Sequence, residues 1–259
     1  MTKLSARTQV PSHAKINWAL RVTAKRPDGF HDLETVFQTI SLHDELTFTP
    51  SDSLSLTCDD PTIPIDETNL VLRAARAVGA DNVAIHLRKR IPAGGGLGGG
   101  SSNAAVTLRE LGDGDLAEVA LSLGSDVPFF LLGGTAYARG RGELLTPMPP
   151  MTGIPLLLLL PEERVLTKNA FARIAHYSPP LGIDAYRDFS HFTNDFERPV
   201  FSMLPRLATL KARLYDAGAQ WAGMSGSGST LVGAFVDEPS RDRAAAMFAD
   251  VRVERCVTS

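Results

Sequence analysis

The stretch PAGGGLGGGSSNAA, from Pro92 to Ala105, puts six glycines into seven positions ahead of two serines. A chain gives up that much backbone order where main chain must come very close to something else. Three loop chemistries compete for the pattern. A Walker-type phosphate loop needs lysine after its last glycine, and Gly100 is followed by Ser101. The dinucleotide pattern G-x-G-x-x-G fits Gly94, Gly96 and Gly99, but it requires an acid closing a second strand about 20 residues on. Asp113 stands instead in LGDGDL, a turn before a further helix. What remains is a cradle of unshielded backbone N–H groups backed by the positive end of the next helix, which suits phosphate. Ser101 and Ser102 add hydroxyls at that helix start. The plain alternative is a flexible linker, although linkers rarely sit between a clean strand and a clean helix.

Other positions carry groups that chemistry at such a cradle needs. In AKINWALRV, alternation places Ile16, Trp18, Leu20 and Val22 on one face and Lys15, Asn17 and Arg21 on the other. Lys15 and Asn17 are therefore expected side by side on an open strand face, where a lysine is by default a solvated surface group. In LGSDVPFF, Pro128 is expected to keep the helix that ends at Gly124 from continuing. Asp126 would then stand at a loop start, able to accept or direct a hydroxyl proton, with a plain N-cap or turn aspartate as the alternative. A second glycine–serine cluster, Ser225 to Thr230, reads by its spacing as a strand-to-strand turn, and a phosphate-side role for it comes only with the family resemblance given below. The six histidines show no H-E-x-x-H spacing, and GDGD at Gly112–Asp115 is too short for a calcium loop, so no fixed metal site is expected.

The elements that must position these groups follow from periodicity. ETVFQTISL reads as a strand, and ELTFTP and LSLTCDD as two short antiparallel strands. ETNLVLRAARAVGA spaces Leu70, Val71, Ala74, Ala75 and Val78 for a helix closed by Gly79. NVAIHLRKR alternates as a strand, and SSNAAVTLREL and DLAEVALSLG read as helices. FFLLGGTAYARGRGE reads as two strands around a Gly-Gly turn. The Pro-rich TPMPPMTGIP suggests a junction, dividing the chain into residues 1–150 and 151–259. Beyond it, IPLLLLLP reads as a buried strand, and TKNAFARIA, LPRLATLKARLYDAG and SRDRAAAMFAD as helices. Strands and helices mix without a regular βαβ rhythm, which makes the class α+β.

Composition narrows the function. The 259 residues hold 44% hydrophobic and 21% charged residues, as in an ordinary globular enzyme. A net charge of -3 leaves no basic stripe for nucleic acid. Cys58 and Cys256 lie far apart, which excludes a cysteine-based zinc site and suggests a reducing compartment. The opening residues carry no apolar leader segment, and the apolar run Ile154–Pro161 is too short to span a bilayer. A cytoplasmic enzyme without membrane partners is expected.

PAGGGLGGGSSNAA also resembles the second motif of the small-molecule kinases grouped with galactokinase, homoserine kinase and mevalonate kinase, the GHMP kinases. AKINWAL, RPDGFHDLETVFQ, LGSDVPFF, FTNDFE and GMSGSGST extend the resemblance, in order, over nearly the whole chain. It implies a two-domain GHMP-kinase fold with the active site in the cleft between an N-terminal ATP-binding domain and a C-terminal domain. It implies ATP and Mg2+, with phosphoryl transfer to an alcohol. By position, the resemblance makes Lys15 and Asp126 catalytic. It assigns nucleotide binding to Asn69, Lys89, Pro92, Ala93, Gly94, Gly95, Gly96, Leu97, Gly98, Gly99, Gly100, Ser101, Ser102 and Asn103. Ordinary alternatives are a helix-start role for Asn69 and a strand-end surface charge for Lys89.

The extra glycines and Asn103 resemble the branch that phosphorylates the 2-hydroxyl of a cytidyl-diphosphate sugar alcohol in the non-mevalonate isoprenoid pathway. For that substrate the resemblance implies Asn17, Phe30, His31, Thr167 and Phe171, two flat rings enclosing a base while polar groups read its edge. Phe30 replaces the family's usual tyrosine, and Lys168 stands where relatives often have proline. No metal ligand is assigned, with Ser102 and Asp126 as candidates, and the partners implied are small molecules, in a monomer or weak homodimer. A homoserine- or mevalonate-type kinase, or a catalytically silent sensor on the same fold, are the rival readings.

Overall fold

A computed structural model describes residues 6–259; the first five residues of the opening segment read above for a leader lie outside it. In chain order the elements are β1 (Thr8–Lys25), β2 (His31–Pro50), β3 (Ser55–Cys58), α1 (Leu70–Ala77), β4 (Val83–Arg88), α2 (Gly99–Leu111), α3 (Ala117–Leu123) and α4 (Val127–Leu132). They continue with β5 (Thr135–Gly140), β6 (Leu144–Pro147), β7 (Pro155–Leu160), α5 (Thr167–Phe171), α6 (Glu197–Met203), α7 (Pro205–Asp216), β8 (Trp221–Met224), β9 (Leu231–Ala234), α8 (Glu238–Ala245) and β10 (Arg252–Val257). Two short 3-10 turns, Ile183–Arg187 and Phe189–His191, precede α6. The class is α+β, as the mixed pattern suggests.

The chain forms two compact units, neither continuous in sequence, because β1 and β2, which pair with each other, each contribute to both. Among the described residues, the first unit comprises 6–14, 43–93 and 98–133. Here β4 lies between the end of β2, antiparallel with Leu46 opposite Leu87, and β3, parallel with Leu56 opposite Ile85. The alternation of β4 buries Val83, Ile85 and Leu87 against Leu46, Phe48, Val71, Ala75 and Val106. Each large aliphatic or aromatic side chain so buried contributes about 1.5–3 kcal/mol.

The second unit comprises 15–42, 94–97 and 134–259. The start of β2 pairs with β5, Val36 opposite Tyr137, and β5 with β6. A separate antiparallel sheet runs in the order β10-β7-β9-β8. All six residues of β7 are buried, which explains its unbroken leucine run. Helix α7 packs Leu207, Leu210 and Leu214, spaced for one face, against Leu157, Leu159 and Leu231.

Three local expectations need correction. Phe129–Leu132 are helical, not a strand: α3 ends before Gly124 as expected, but Pro128 falls near the start of α4, where its missing N–H has no intrahelical partner to lose, so a new helix begins there. Asp126 therefore stands at a helix start and not a loop start. ELTFTP is the last part of the 20-residue β2, and β3 pairs with β4 instead, in parallel. Among the described residues, no helix is long and apolar enough to cross a membrane.

Candidate active site

The glycine segment leaves β4 and runs to α2 without regular structure. Gly94, Gly96 and Gly98 take φ of 72°, 79° and 69°, the left-handed region that costs other residues about 1–2 kcal/mol. Gly98 caps α2, whose first turns carry Ser101, Ser102 and Asn103. Ser102 is buried, and its hydroxyl accepts from Ser12 Oγ at 2.8 Å. Pro92 is half-buried and Ala93 and Gly100 are exposed, while Gly95 and Leu97 are buried. The cradle thus has a pinned interior and an open rim.

In the first unit, the base of this loop is organised by a residue that the sequence does not advertise. Asp44, fully buried in β2, accepts from Lys89 Nζ at 2.5 Å and Asn103 Nδ2 at 3.1 Å on one oxygen. Its other oxygen accepts the backbone N–H of Arg90 at 2.7 Å and of Ile91 at 2.8 Å. Lys89 is consequently a buried ion-pair partner, with a side chain only 7% exposed, and not a strand-end surface charge. Asn69 caps α1, accepting from the Val71 N–H, while its amide donates to the Pro64 carbonyl. Asp126 occupies the N-cap position of α4 without capping that helix's own N–H groups.

In the second unit, the expected open face of β1 is closed. Lys15 and Asn17 are 3% and 2% exposed, so both faces of the strand are buried here. Lys15 Nζ donates to Asn17 Oδ1 at 2.6 Å, Asn17 Nδ2 donates to Thr35 Oγ1 at 2.8 Å, and Thr35 Oγ1 donates to the Ala19 carbonyl at 2.5 Å. The relay fixes the asparagine amide with its oxygen towards the ammonium. The Lys15 N–H donates to the Leu97 carbonyl at 3.0 Å, which ties the lysine's backbone to the glycine segment.

The cluster Ser225–Thr230, joining β8 to β9, packs on the same segment. Ser225 Oγ donates to the Gly96 carbonyl at 2.9 Å, and the Thr230 N–H to the Gly95 carbonyl at 3.3 Å. A Cβ on Gly226 would lie 3.3 Å from Gly96 Cα and 3.6 Å from Lys15 Nζ, so glycine here lets backbone close on the ammonium. Asn194 holds this turn through the Met224 and Gly226 carbonyls. Thr167 and Ser227 share a hydroxyl hydrogen bond of 2.9 Å.

The ring residues form a second group in this unit. Phe30 is half exposed, with the Arg141 guanidinium 4.1 Å above its ring. His31 stacks on Phe171 at 4.6 Å and 18°, and Phe171 meets Phe196 edge-on. Burial, reinforced by the Lys25 charge, pushes His31 below the usual histidine value, so a neutral imidazole offers one donor and one acceptor. Behind this group Glu34 accepts from the Tyr186 and Tyr137 hydroxyls and the Leu181 and Gly182 N–H groups, at 2.6–2.9 Å. Asp44, Glu34 and Asn194 escape sequence reasoning because their partners are remote in the chain; Asp44 and Glu34 sit in β2, and Asn194 lies in the loop before α6.

Comparisons with known proteins give the family likeness of the chain. The family model described as GHMP kinases N terminal domain matches residues 69–134, and that described as GHMP kinases C terminal matches 182–252. The chain is 41% identical to a 4-diphosphocytidyl-2-C-methyl-D-erythritol kinase of Chlorobium phaeobacteroides (strain BS1), over 92% of this chain and 93% of that one. It is 40% identical to the kinase of the same name from Salinibacter ruber (strain DSM 13855 / M31), over 90% and 91%. A crystal structure of 4-(cytidine 5'-diphospho)-2C-methyl-D-erythritol kinase superposes with a TM-score of 0.86 at 35% identity, covering 97% and 99% of the two chains.

Proposed function

The chain belongs to the GHMP kinases and among them to the 4-diphosphocytidyl-2-C-methyl-D-erythritol kinases, and from that membership we infer its reaction. It transfers the γ-phosphate of ATP to the 2-hydroxyl of 4-diphosphocytidyl-2-C-methyl-D-erythritol, a step of non-mevalonate isoprenoid precursor synthesis.

Phosphoryl transfer asks a protein to align two oxygens and to offset charge on the moving group. In our reading Gly94 to Ser102 hold the triphosphate on backbone N–H groups at the α2 N-terminus, with Pro92, Ala93 and Asn103 bounding the cradle and Asn69 and Lys89 serving the nucleotide. Lys15, held by Asn17, offsets charge on the transferring group. Asp126 receives or directs the proton of the acceptor hydroxyl. Phe30 and Phe171 offer ring faces to cytosine, His31 reads its edge, and Thr167 stands by the diphosphate. The observation that carries this reading is the burial of the Lys15–Asn17 couple on the Gly95–Leu97 segment, since a buried ammonium needs a chemical reason.

Mg2+ belongs to the same proposal. Among the described residues no three His, Cys, Asp or Glu side chains converge as a metal site. In our reading the ion arrives with ATP and is carried mainly by phosphate and water oxygens, with the Ser102 hydroxyl and the Asp126 carboxylate as candidate further hard ligands. Bound there, the ion would neutralise phosphate charge. The division into an ATP-binding domain over 1–150 and a kinase C-terminal domain over 151–259, a cytoplasmic location, and a monomer or weak homodimer complete the reading.

The test is ADP release with the cytidyl substrate, with homoserine and with mevalonate. Turnover confined to the first is expected, because the other acceptors have no use for the Phe30–His31–Phe171 group. Turnover with homoserine or mevalonate alone would replace this reading with another GHMP activity, and ATP binding without turnover would leave a sensor.

A further inference from the structure

We propose that Asp44 is the positioning residue of the nucleotide loop: one buried carboxylate clips the segment before the glycines to the helix after them. The proposal rests on the reading that ATP phosphates lie on that loop. Both sides of the loop end on this one group. Before the glycines, the N–H groups of Arg90 and Ile91 and the Lys89 ammonium point to it; after them, the Asn103 amide does. All four donors lie within 3.1 Å, and the carboxylate is fully buried, so water competes for none of them.

The packing around the clip shows what it holds. A Cβ on Gly99 would lie 3.0 Å from Ile91 Cγ2 and 3.2 Å from Lys89 Nζ. The first residue of α2 is thus pressed against the strand end that Asp44 anchors. Asn103 Oδ1 is buried without a hydrogen-bond partner, so the amide's orientation is set from its Nδ2 side, by Asp44. A glycine-rich segment gains its freedom from the residues it lacks, and an anion cradle works only if its N–H groups are already aligned. Fixing both ends to one acceptor removes that freedom without placing a side chain in the cradle. Lys89 is drawn into the same bond, which keeps its charge beside the helix start.

The variant Asp44→Asn keeps the size and replaces one oxygen with an amino group facing two other donors, Lys89 Nζ and Asn103 Nδ2. Titration calorimetry with a non-hydrolysable ATP analogue and, separately, with CDP gives the decisive split. Wild-type protein that binds neither would defeat the kinase reading itself and not this inference. With wild-type binding in hand, Asp44→Asn should weaken the ATP analogue about 10- to 100-fold and leave CDP within about two-fold, as loss of a buried charge-assisted network at one site implies. Equal weakening of both ligands would mean a merely structural role, and no weakening of either would mean no clip; each overturns the proposal. A lone buried lysine can prevent folding. Should Asp44→Asn not fold, Lys89→Ala is compared with Asp44→Ala/Lys89→Ala, which leaves no uncompensated ammonium. A further loss of analogue affinity in the double variant supports the clip, and identical affinities overturn it.

Discussion

The carbonyl oxygen of Ser225 stands where a side chain on Gly96 would begin: a Cβ there would lie 2.1 Å away, while Ser225 Oγ donates back to the Gly96 carbonyl at 2.9 Å. Two backbone segments far apart in sequence are in direct contact because Gly96 has no side chain to hold them apart. Gly96→Ala should therefore cost about 3 kcal/mol or more, from left-handed strain plus a clash with rigid backbone. Gly94→Ala meets nothing closer than Arg164 Nη1 at 3.8 Å and should cost only about 1–2 kcal/mol of backbone strain. Urea unfolding of the two variants decides; equal losses would mean that the Ser225 contact is soft.

Lys15→Met keeps the bulk of the buried side chain and removes its charge. If the ammonium offsets charge on the moving phosphoryl group, kcat should fall about 10²- to 10³-fold with thermal unfolding little changed. Asn17→Ala should cost less, since the lysine keeps its charge and loses only the 2.6 Å bond that aims it. A Lys15→Met enzyme with near-normal turnover would remove Lys15 from the chemistry.

Asp126→Asn tests the proton-directing role. A fall in kcat of about 10²- to 10⁴-fold with KM for ATP nearly unchanged is expected of a group that acts on the acceptor hydroxyl. A rise in KM with kcat preserved would reassign Asp126 to binding.

Phe30→Ala should raise KM for the cytidyl substrate far more than KM for ATP. The guanidinium of Arg141 lies over one ring face, which leaves the other for a base, and Arg141→Ala should weaken cytidyl binding by a smaller factor, about two- to five-fold, in line with a partly exposed cation–π contact. Equal effects of Phe30→Ala on both substrates would refute the stacking role.

Glu34 should shape the acid limb of stability. Burial alone would lift its carboxyl, but hydrogen bonds from Tyr186, Leu181, Tyr137 and Gly182 hold it below the usual glutamate value of 4.5. A folded value below the unfolded one means that its contribution is complete above pH 4.5 and is lost as pH falls through the lowered value. Glu34→Gln, with one acceptor oxygen for four donors, should destabilise by about 1–3 kcal/mol near pH 7. Its gap to wild type should narrow as the buffer is acidified below 4.5. Melting temperature against pH for both proteins checks this, and a gap that is constant with pH would exclude the carboxylate as the cause.

Much of the local structure was legible. Alternation located the buried faces of β1 and β4, and the glycine-to-serine step located the start of α2, because a strand's period and a helix's first turn are set by neighbouring residues. The leucine run of β7 likewise announced a strand buried on both sides. Reading Phe129–Leu132 as a strand failed because apolar runs this short carry no period, and the meaning of Pro128 depended on whether a helix ended or began there. Lys15 was misread as surface-facing for a different reason: alternation separates two faces but says nothing about what covers the second one.

By itself, then, the order of residues determined a glycine-rich loop between a strand and a helix, an α+β frame and a lysine–asparagine pair, all consequences of torsional freedom and periodicity along a few consecutive residues. Tertiary structure alone decided that Asp44 binds both sides of the loop, that Glu34 gathers two tyrosines, and that Ser225 touches Gly96. Hydrogen bonds and charges act through space over a few ångströms, and residues that meet at such distances leave no shared signature in the chain between them.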